Sequence, residues 1–564
     1  MKNLPSAVAI LFAVSACTSS NERVPVTSSS QAEAFSIKQC SALAATKSGA
    51  TCELQQLNSS APNSLIVRGD ILMPNGVLEG GSVKIKNGKI TAVACDVSGL
   101  DSMTVLSCPG AAITPGLINA HDHLTYNQNA PGDWGQERYD RRNQWRKGLD
   151  GHTKINAPKA QDELQWAWAE TRHVLAGTTS IAGSGGYSGF LRNVDRAELQ
   201  QGLHGGVVDY DTFPLGDWSD VQGHDDNCDY PQLVSEEVLD NLVFLPHVGE
   251  GIDAYANNEI KCLTGRGYPG SPGVNIAASN DTFIHSVAAT VPDAQVFKSS
   301  DMHLVWSPRS NISLYGNTAP VTLYDTMGIA VALATDWTAS GSINLFQELS
   351  CAASYNEQYL DGYFSDYELW RMVTINAAEA LGFANQIGAI KVGMLADIAI
   401  VKYQGESSAY SAVIDANIDA VALVMRAGQP LYGDQSLLDQ LIAEPGQCES
   451  LQQAGLPLCG TEKALCVQQE LGISLQELLA HNPSSASYPM YFCEAPADEP
   501  SCLPARPGQY SGLVTQNDAD GDGIENSKDN CASVFNPIRP MDNNTQADYD
   551  QDGIGDVCDV SPAG

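Results

Sequence analysis

The sequence predicts an α/β fold in which a (β/α)8 barrel is accompanied by a composite β-sandwich, a small Cys-rich region and an acidic tail. Apolar strand-like runs alternate with helical stretches over residues 112–387, and shorter strand-like runs stand on both sides, over residues 64–111 and 388–435. Alternation over this length, with about eight strands, is typical of a closed parallel barrel of the TIM type. The chain of 564 residues is long enough for several domains.

The N-terminus predicts export. Lys2 precedes an apolar stretch, residues 4–14, that is short for a membrane span but suits a signal peptide. Residues 14–17 read Val-Ser-Ala-Cys and resemble the lipobox of bacterial lipoproteins, where the Cys is lipidated after cleavage; an ordinary cleavage site is the alternative. We expect a signal peptide over residues 1–16, lipidation of Cys17 and a tether over residues 17–63. With Thr18 next, the resemblance implies an outer-membrane lipoprotein held by its lipid anchor.

Composition limits the partners and the compartment. A formal net charge of -36 would repel nucleic-acid phosphates, so we expect no nucleic-acid partner. Of 15 cysteines, those left after lipidation of one are even in number, which suits disulfides in an oxidising compartment. The nearby pairs Cys40 with Cys52 and Cys95 with Cys108 are plausible, and other pairings stay open. The oligomeric state is not predicted.

The two flanking β segments are expected to pair with each other. Residues 64–94 contain two strand-like runs joined at Asn87-Gly88, a dipeptide that favours a tight hairpin because both residues tolerate positive φ. Similar short runs return at residues 397–403 and 420–433. Together they predict the composite sandwich.

Histidines and acids cluster at the ends of the predicted barrel strands. His121 and His123 in NAHDHL are two apart on a strand end, so both imidazoles point to the same side. Alone, such a pair could be accidental. Four further residues also follow apolar strands: His247, Glu250, His285 and Asp336. Because active sites of (β/α) barrels lie at the carboxyl ends of the strands, the set predicts a metal site there.

At this point the chain resembles the amidohydrolase superfamily over residues 64–433, including the stretch GAIKVGMLADIAIV. The HxxE spacing of His247 and Glu250, with WSPRSNISLYG, is similar to the mononuclear deaminase and triazine-hydrolase branch. The resemblance implies a distorted barrel and one divalent ion, zinc or else iron, held by four ligands: His121, His123, His247 and Asp336. The dinuclear branch usually has a carboxylated Lys on the fourth strand, and residues 161–247 contain no Lys.

The resemblance also implies roles for the site residues. A bound ion lowers the pKa of water from ~15.7 toward ~7. Asp336 would take a proton from that water, His285 would stabilise the attacking oxygen, and Glu250 would protonate the leaving nitrogen. The expected reaction is hydrolysis of a non-peptide carbon–nitrogen bond in a small cyclic substrate. The alternatives are a dinuclear amidase or dipeptidase, and an inactive calcium-dependent surface scaffold.

Other residues near the predicted site have two interpretations. Arg309 and Asn311 in PRSN would bind a substrate carbonyl or carboxylate, or else form a structural turn. Three aromatic residues of the insertion after the first strand would form a lid or pack: Trp134, Tyr139 and Trp145. His152 follows that insertion and could approach substrate. The remaining histidines are interpreted as structural: His173, His204, His224, His303 and His481.

The C-terminal part changes in composition. Five cysteines over residues 436–510 surround a probable helix at residues 468–481 and predict a disulfide-tied appendage. Residues 511–564 repeat a DxDxDG pattern twice, with oxygens and a turning Gly where a calcium loop requires them. The predicted calcium ligands are Asp518, Asp520, Asp522, Asp529, Asp548, Asp550, Asp552 and Asp559. The segment resembles thrombospondin type 3 repeats, which implies a Cys531–Cys558 disulfide; a disordered acidic tail is the alternative.

Overall fold

A computed structural model describes residues 35–58, 63–218, 223–406, 408–442, 444–482 and 488–564. The predicted signal peptide and Cys17 lie outside these residues. The strands are β1 (Ser36–Gln39), β2 (Glu53–Gln56), β3 (Ser64–Met73), β4 (Gly76–Lys86), β5 (Lys89–Ala94), β6 (Thr104–Pro115), β7 (Leu117–Asn119), β8 (Thr178–Ile181), β9 (Arg192–Asn193), β10 (Val208–Asp211), β11 (Val243–Val248), β12 (Thr282–His285), β13 (His303–Trp306), β14 (Val331–Leu333), β15 (Ile398–Lys402), β16 (Val421–Arg426), β17 (Gln429–Asp434), β18 (Glu449–Ser450) and β19 (Lys463–Leu465).

The α-helices are α1 (Arg142–Lys147), α2 (Glu163–Leu175), α3 (Ala254–Leu263), α4 (Val291–Ser299), α5 (Pro308–Tyr315), α6 (Val321–Thr326), α7 (Leu345–Tyr359), α8 (Asp366–Met372), α9 (Ile375–Ala380), α10 (Ser411–Ile414), α11 (Gln435–Leu441), α12 (Val467–Leu471) and α13 (Leu475–Ala480). Within the described part of the chain, no helix is long and apolar enough to cross a bilayer.

Eight parallel strands form a closed ring. Strands β7–β9 make a three-stranded sheet and β10–β14 a five-stranded sheet. Backbone hydrogen bonds join the two sheets at both seams, from Val208 N to Val194 O at 3.1 Å and from Asp336 N to His121 O at 3.2 Å. Small and branched apolar residues such as Ile118, Ala182 and Ala332 fill the ring's core. The α/β class and a TIM-barrel-like domain are therefore confirmed.

The β segments on either side of the barrel pair as expected. Strand β6 runs antiparallel to β15, with Thr114 opposite Ala399, and hydrogen bonds join all eleven flanking strands into one sheet. The β4–β5 hairpin turns at Asn87 and Gly88, with φ values of 50° and 76°, which explains the need for residues that tolerate the left-handed region. The division of this sheet into two sandwich layers stays a prediction.

The cysteines of the described residues form disulfides, but the two pairings suggested by the sequence are wrong. Cys40 bonds to Cys95 and Cys52 bonds to Cys108. The reason is strand pairing: β2 lies antiparallel to β6 with Glu53 opposite Ser107, which brings Cys52 beside Cys108. The other disulfides are Cys228–Cys262, Cys351–Cys502, Cys448–Cys466, Cys459–Cys493 and Cys531–Cys558.

The C-terminal regions pack on the barrel and the sheet. Strand β19 extends the large sheet beside β17, and the Cys351–Cys502 disulfide ties the Cys-rich region to α7. The helix expected at residues 468–481 is two short helices, α12 and α13, because Gly472 between them adopts φ 70°. Residues 511–564, all of which the structure describes, consist of turns without a helix or strand.

Candidate metal centre

Side chains from four separate parts of the chain converge at the carboxyl end of the barrel. The ligand atoms of His121, His123 and His247 lie within 4.8 Å of one another, as do those of His121, His285 and Asp336. Asp336 Oδ1 lies 3.3 Å from His121 Nε2 and 3.4 Å from His123 Nε2. His247 Nε2 lies 3.4 Å from His123 Nε2. The structure therefore brings together the four predicted ligands and His285.

This donor set fits a divalent cation. His121 is fully buried, and neither of its ring nitrogens makes a hydrogen bond to any described residue. His247 Nδ1 lies 3.1 Å from the carbonyl oxygen of Asp211, so this nitrogen carries the proton and Nε2 presents its lone pair to the cluster. Converging lone pairs in a buried place are costly unless a cation binds them.

The surroundings keep the imidazoles neutral. Burial, reinforced by the positive charge that neighbouring imidazoles would carry, holds the pKa of His121 and His247 well below the ordinary value. Burial alone lowers the pKa of His123 to about 4. Neutral imidazole is the form that binds metal ions. The three histidines are thus prepared as ligands near neutral pH.

Asp336 and His285 occupy special backbone positions at strand ends. Both have positive φ, 62° for Asp336 and 71° for His285, a region that non-glycine residues adopt rarely. Asp336 Oδ2 accepts a hydrogen bond of 2.5 Å from Ser310 Oγ. Burial, and then the charge of Glu250, raises the pKa of Asp336 well above its usual range. A carboxylate in that setting is a base that a nearby cation would stabilise.

A chain of hydrogen bonds fixes the tautomer of His285. Trp306 Nε1 donates to Thr318 Oγ1 at 2.7 Å, and the Thr318 hydroxyl then donates to Asn311 Oδ1 at 3.4 Å. Asn311 Nδ2 therefore faces His285 Nδ1, at 3.1 Å, and donates to it. His285 must carry its proton on Nε2, directed toward the cluster, where it can donate to an oxygen of the reacting group.

Glu250 lies on the same side as His285. Its Oε2 is 3.8 Å from His285 Nε2, and its Oε1 accepts a hydrogen bond of 2.7 Å from the Tyr315 hydroxyl. Burial raises the pKa of Glu250, and the charge of Arg142 opposes that rise. One carboxylate oxygen is thus held by the protein while the other faces the site. This is the geometry that a general acid needs.

The fourth barrel strand presents a neutral side chain to the cluster. Tyr210 of β10 has its ring centroid 5.9 Å from that of His121 and 5.5 Å from that of His247. Its hydroxyl donates to the carbonyl oxygen of Asp122 at 3.1 Å. The fourth strand thus directs a tyrosine, and no lysine, toward the cluster.

The contacts of Arg309 favour the structural interpretation over the substrate-binding one. PRSN is the start of helix α5 rather than a loop. The Arg309 guanidinium donates to Ser342, Gln347 and Pro500 and pairs with Glu499 at 3.3 Å. Its nitrogens are engaged by protein groups of α7 and the Cys-rich region, so it anchors that region. Asn311 positions His285, and its role as a substrate ligand stays a prediction.

We expect Arg309→Met to lower the thermal unfolding midpoint by several degrees while leaving KM unchanged. The buried Glu499 would lose its cationic partner, and an unpaired buried charge costs several kcal/mol. Differential scanning calorimetry and steady-state kinetics check both parts. A large rise in KM without loss of stability would favour the substrate-binding interpretation.

The insertion after β7 packs over the site. Tyr139 is fully buried against Leu314, whereas Trp145 Nε1 donates to the Tyr315 hydroxyl at 2.8 Å. Tyr139 is therefore a packing residue, and Trp145 belongs to the wall of the site. Trp134 packs in the same cluster. His152 pairs with Glu137 at 2.8 Å and gives no sign of approaching the cluster.

Several residues around the site were not predicted from the sequence. Their contacts come from elements far apart in the chain: Ser310, Tyr210, Tyr315 and Arg142. Arg142 donates to the carbonyl oxygen of His247 at 3.2 Å and pairs with Asp217 and Glu259. Tyr, Ser and Arg are common residues, so their residue type alone does not mark these positions as part of a site. The motif WSPRSNISLYG contains Ser310 and Tyr315, and the strand-end position of Tyr210 could also have been noticed.

The first acidic loop of the tail holds its carboxylates close together. Asp518, Asp520 and Asp522 have carboxylate oxygens within 4.8 Å of one another. Asp520 is fully buried, and its Oδ2 has no hydrogen-bond partner among the described residues. Burial, and then the charge of Asp522, raises the pKa of Asp520 to about 8. The second loop groups Asp548, Asp550 and Asp552 in the same way but more exposed.

Comparisons with known proteins agree with this site. A family described as "Amidohydrolase family" matches residues 271–431. A 5-methylthioadenosine/S-adenosylhomocysteine deaminase of Teredinibacter turnerae is 26% identical over 361 residues, 56% of this chain and 78% of that protein. A 5'-deoxyadenosine deaminase of Methanothermobacter thermautotrophicus is 25% identical over 381 residues, 60% of this chain and 84% of that protein.

Solved structures similar to this chain include a zinc complex of atrazine chlorohydrolase from Arthrobacter aurescens. The two are 19% identical, with a TM-score of 0.49, over 65% of this chain and 95% of the other. Taken with the family match and the curated relatives, the buried histidine cluster supports a divalent metal ion. Residues 271–431 match a model of the amidohydrolase family, the matches support the amidohydrolase superfamily for the chain, and the protein is a hydrolase of carbon–nitrogen bonds in a small substrate.

Proposed function

We propose that this protein uses one divalent ion, zinc or else iron, to hydrolyse an exocyclic or ring carbon–nitrogen bond of a cyclic amidine, imide or amine. The observation that carries the proposal is the convergence of His121, His123, His247 and Asp336, with Glu250 and His285 on one side of the cluster. A bound ion would supply a Lewis acid that makes hydroxide available near neutral pH.

The residues around that cluster divide the proton transfers between them. Asp336, at the edge of the cluster, accepts the proton of the attacking water. His285, with its proton on Nε2, donates a hydrogen bond to the oxygen that becomes charged. Glu250 donates a proton to the leaving nitrogen, without which an amine leaves very poorly. Tyr315 keeps the other oxygen of Glu250 occupied.

Aromatic side chains beside His123 support a flat heterocyclic substrate. Trp337 lies with its ring centroid 6.0 Å from that of His123, and the rings of Tyr126 and Trp145 lie 5.9 Å and 5.7 Å from that of Trp337. Such rings offer apolar faces on which planar bases stack. The deaminase names of the curated relatives make purine nucleosides the first compounds to test.

The test is metal analysis of the purified full chain followed by a substrate screen. We expect one zinc or iron ion per chain at the barrel and release of ammonia from at least one 5'-substituted adenosine, cyclic amidine or triazine. Two catalytic ions per chain would favour the dinuclear amidase or dipeptidase. If the metal-loaded protein turned over no compound of any of these classes, the inactive surface scaffold would be the better interpretation.

We also propose that the tail binds calcium and that the chain is an exported lipoprotein of the outer membrane. Support for calcium comes from the buried, unpartnered oxygen of Asp520 within an acidic cluster, since this ion binds several hard carboxylate oxygens. Support for export comes from the seven disulfides of the described residues, which persist in oxidising compartments. Metabolic labelling with a fatty acid, abolished by Cys17→Ala, tests the lipid anchor.

Asp520→Asn should remove one calcium ion from the tail. The variant loses a charged ligand at the buried first loop, whereas Glu525→Gln, at an exposed side chain of the same loop that pairs with Lys528, should bind calcium like the parent. Isothermal titration of the full chain, with the barrel ion already bound, measures the stoichiometry. Equal binding by both variants would contradict the assignment of Asp520 as a ligand.

A further inference from the structure

We propose that Arg506, at the end of the Cys-rich region, is a positioning residue for Glu250 and acts on it through Tyr315. The inference rests on the proposed function, in which Glu250 protonates the leaving group. Arg506 lies outside residues 271–431, where the family match falls. The proposal therefore gives the Cys-rich region after the barrel a role in the reaction.

Arg506 joins two segments that border the site. Its Nη1 donates to the carbonyl oxygens of Tyr139 at 2.8 Å and Tyr315 at 2.7 Å, and its Nη2 pairs with Asp140 Oδ1 at 2.7 Å. The side chain is buried. Tyr139 and Asp140 belong to the insertion after β7, and Tyr315 ends α5. One planar guanidinium therefore connects the insertion to the helix end.

The end of α5 depends on groups from outside the helix. The last carbonyl groups of an α-helix have no partner within the helix, and here Arg506 binds that of Tyr315 while Tyr510 donates to that of Gly316 at 3.2 Å. Gly316 has φ 69°, and a Cβ there would stand 2.3 Å from Arg506 Cγ. The close approach of Arg506 to this turn thus requires glycine on steric grounds as well.

The side chain of Tyr315 transmits this anchoring to the site. Its hydroxyl donates to Glu250 Oε1 at 2.7 Å and accepts from Trp145 Nε1 at 2.8 Å. The insertion is held against the same helix by Tyr139 N, which donates to the carbonyl oxygen of Leu314 at 2.8 Å. Because Tyr315 occupies Oε1, the free Oε2 of Glu250 is the oxygen directed toward His285.

Loss of Arg506 should therefore lower the rate of the chemical step and leave the binding of substrate almost unchanged. A displacement of a reacting group by about 1 Å can cost about a hundredfold in rate. The helix end would keep its Tyr510 contact, so a smaller effect is expected here. We expect Arg506→Gln to lower kcat by about tenfold, with KM changed by less than about twofold.

The matched control is Arg539→Gln. Arg539 is also an arginine of the C-terminal part, with its side chain 12% exposed. It holds the barrel through the carbonyl oxygen of Ala289 and pairs with Asp542, and neither partner is Tyr315. Arg506→Lys, which can still donate to the Tyr315 carbonyl, should recover part of kcat. The barrel ion is measured in every variant, so that metal loss is recognised.

A double-mutant cycle identifies the route. Tyr315→Phe removes the hydroxyl that holds Glu250, so adding Arg506→Gln to it should lower kcat by less than about twofold more. Independent effects that multiply would overturn the proposal, as would equal losses of kcat in Arg506→Gln and Arg539→Gln.

Hydrogen exchange supplies a readout that does not need turnover. The amide of Gly316, bonded to Ile312 O at 2.8 Å, should exchange at least about tenfold faster in Arg506→Gln than in the parent and in Arg539→Gln. An inactive parent chain would contradict the proposed function only, and the exchange at Gly316 would still decide whether Arg506 fixes the helix end. Unchanged exchange would overturn the proposal.

Discussion

Asp336→Asn should reduce turnover by about a thousandfold or more, because in the proposed function one side chain serves as both ligand and proton acceptor. Asn cannot take the proton of the attacking water, and it offers the cation a neutral oxygen in place of a carboxylate. The substitution is sterically mild, since Asn tolerates the positive φ of 62° found at this position. The measurements are kcat and the metal content after dialysis.

The matched control for this substitution is Asp361→Asn. Asp361 is an exposed residue with φ 54°, so it tests the same chemical change in the same backbone region away from the site. It should keep parental kcat and one barrel ion. If Asp336→Asn retained more than about a tenth of the parental kcat, the assignment of Asp336 as the base would be wrong.

Glu250→Gln should lower kcat by about a hundred- to ten-thousandfold while leaving the barrel ion in place, because general acid catalysis contributes on that order. Gln cannot supply the proton for the leaving nitrogen. It still presents an oxygen to the Tyr315 hydroxyl, which now donates to Oε1 at 2.7 Å, so the side chain should keep its position. Steady-state kinetics and metal analysis on the same preparation check both statements.

Glu170→Gln provides a buried control. Glu170 is fully buried and accepts hydrogen bonds from Tyr187, Leu191 and Asn193. None of these three partners belongs to the histidine cluster. This variant should retain kcat. A Glu250→Gln enzyme that stayed active on a substrate with a good leaving group, but not on an amine, would strengthen the role as acid; equal activity on both would contradict it.

The convergence of the candidate ligands could be predicted from the sequence, whereas the residues that surround them could not. His121, His123, His247 and Asp336 carry a signal because rare, ionisable residues stand at strand ends, where barrel geometry brings them to one place. Tyr315 has no such signal. Its role depends on the turn of α5 that brings its hydroxyl to Glu250. The direction of this side chain follows from tertiary packing, which the sequence does not show.

Two cases show why contacts between distant parts of the chain were harder to predict. Arg309 stood in a motif that suggested a substrate contact, but its partners, Glu499 and the carbonyl of Pro500, lie in a region whose place in the fold was not predicted. The cysteines before and after the strands were paired by proximity along the chain, whereas the register of β2 against β6 decides the Cys52–Cys108 disulfide. Tertiary arrangement decided both cases.

The pairing of β17 with β19 sets a practical limit on where the chain can be shortened for expression. Tyr432 and Gly433 lie opposite Leu465 and Ala464, so a gene ending near residue 435 would leave the backbone donors and acceptors of β17 without their neighbour. Open strand edges of this kind template intermolecular association. A soluble recombinant fragment should therefore extend beyond the barrel and through β19, even though the hydrolase chemistry resides upstream.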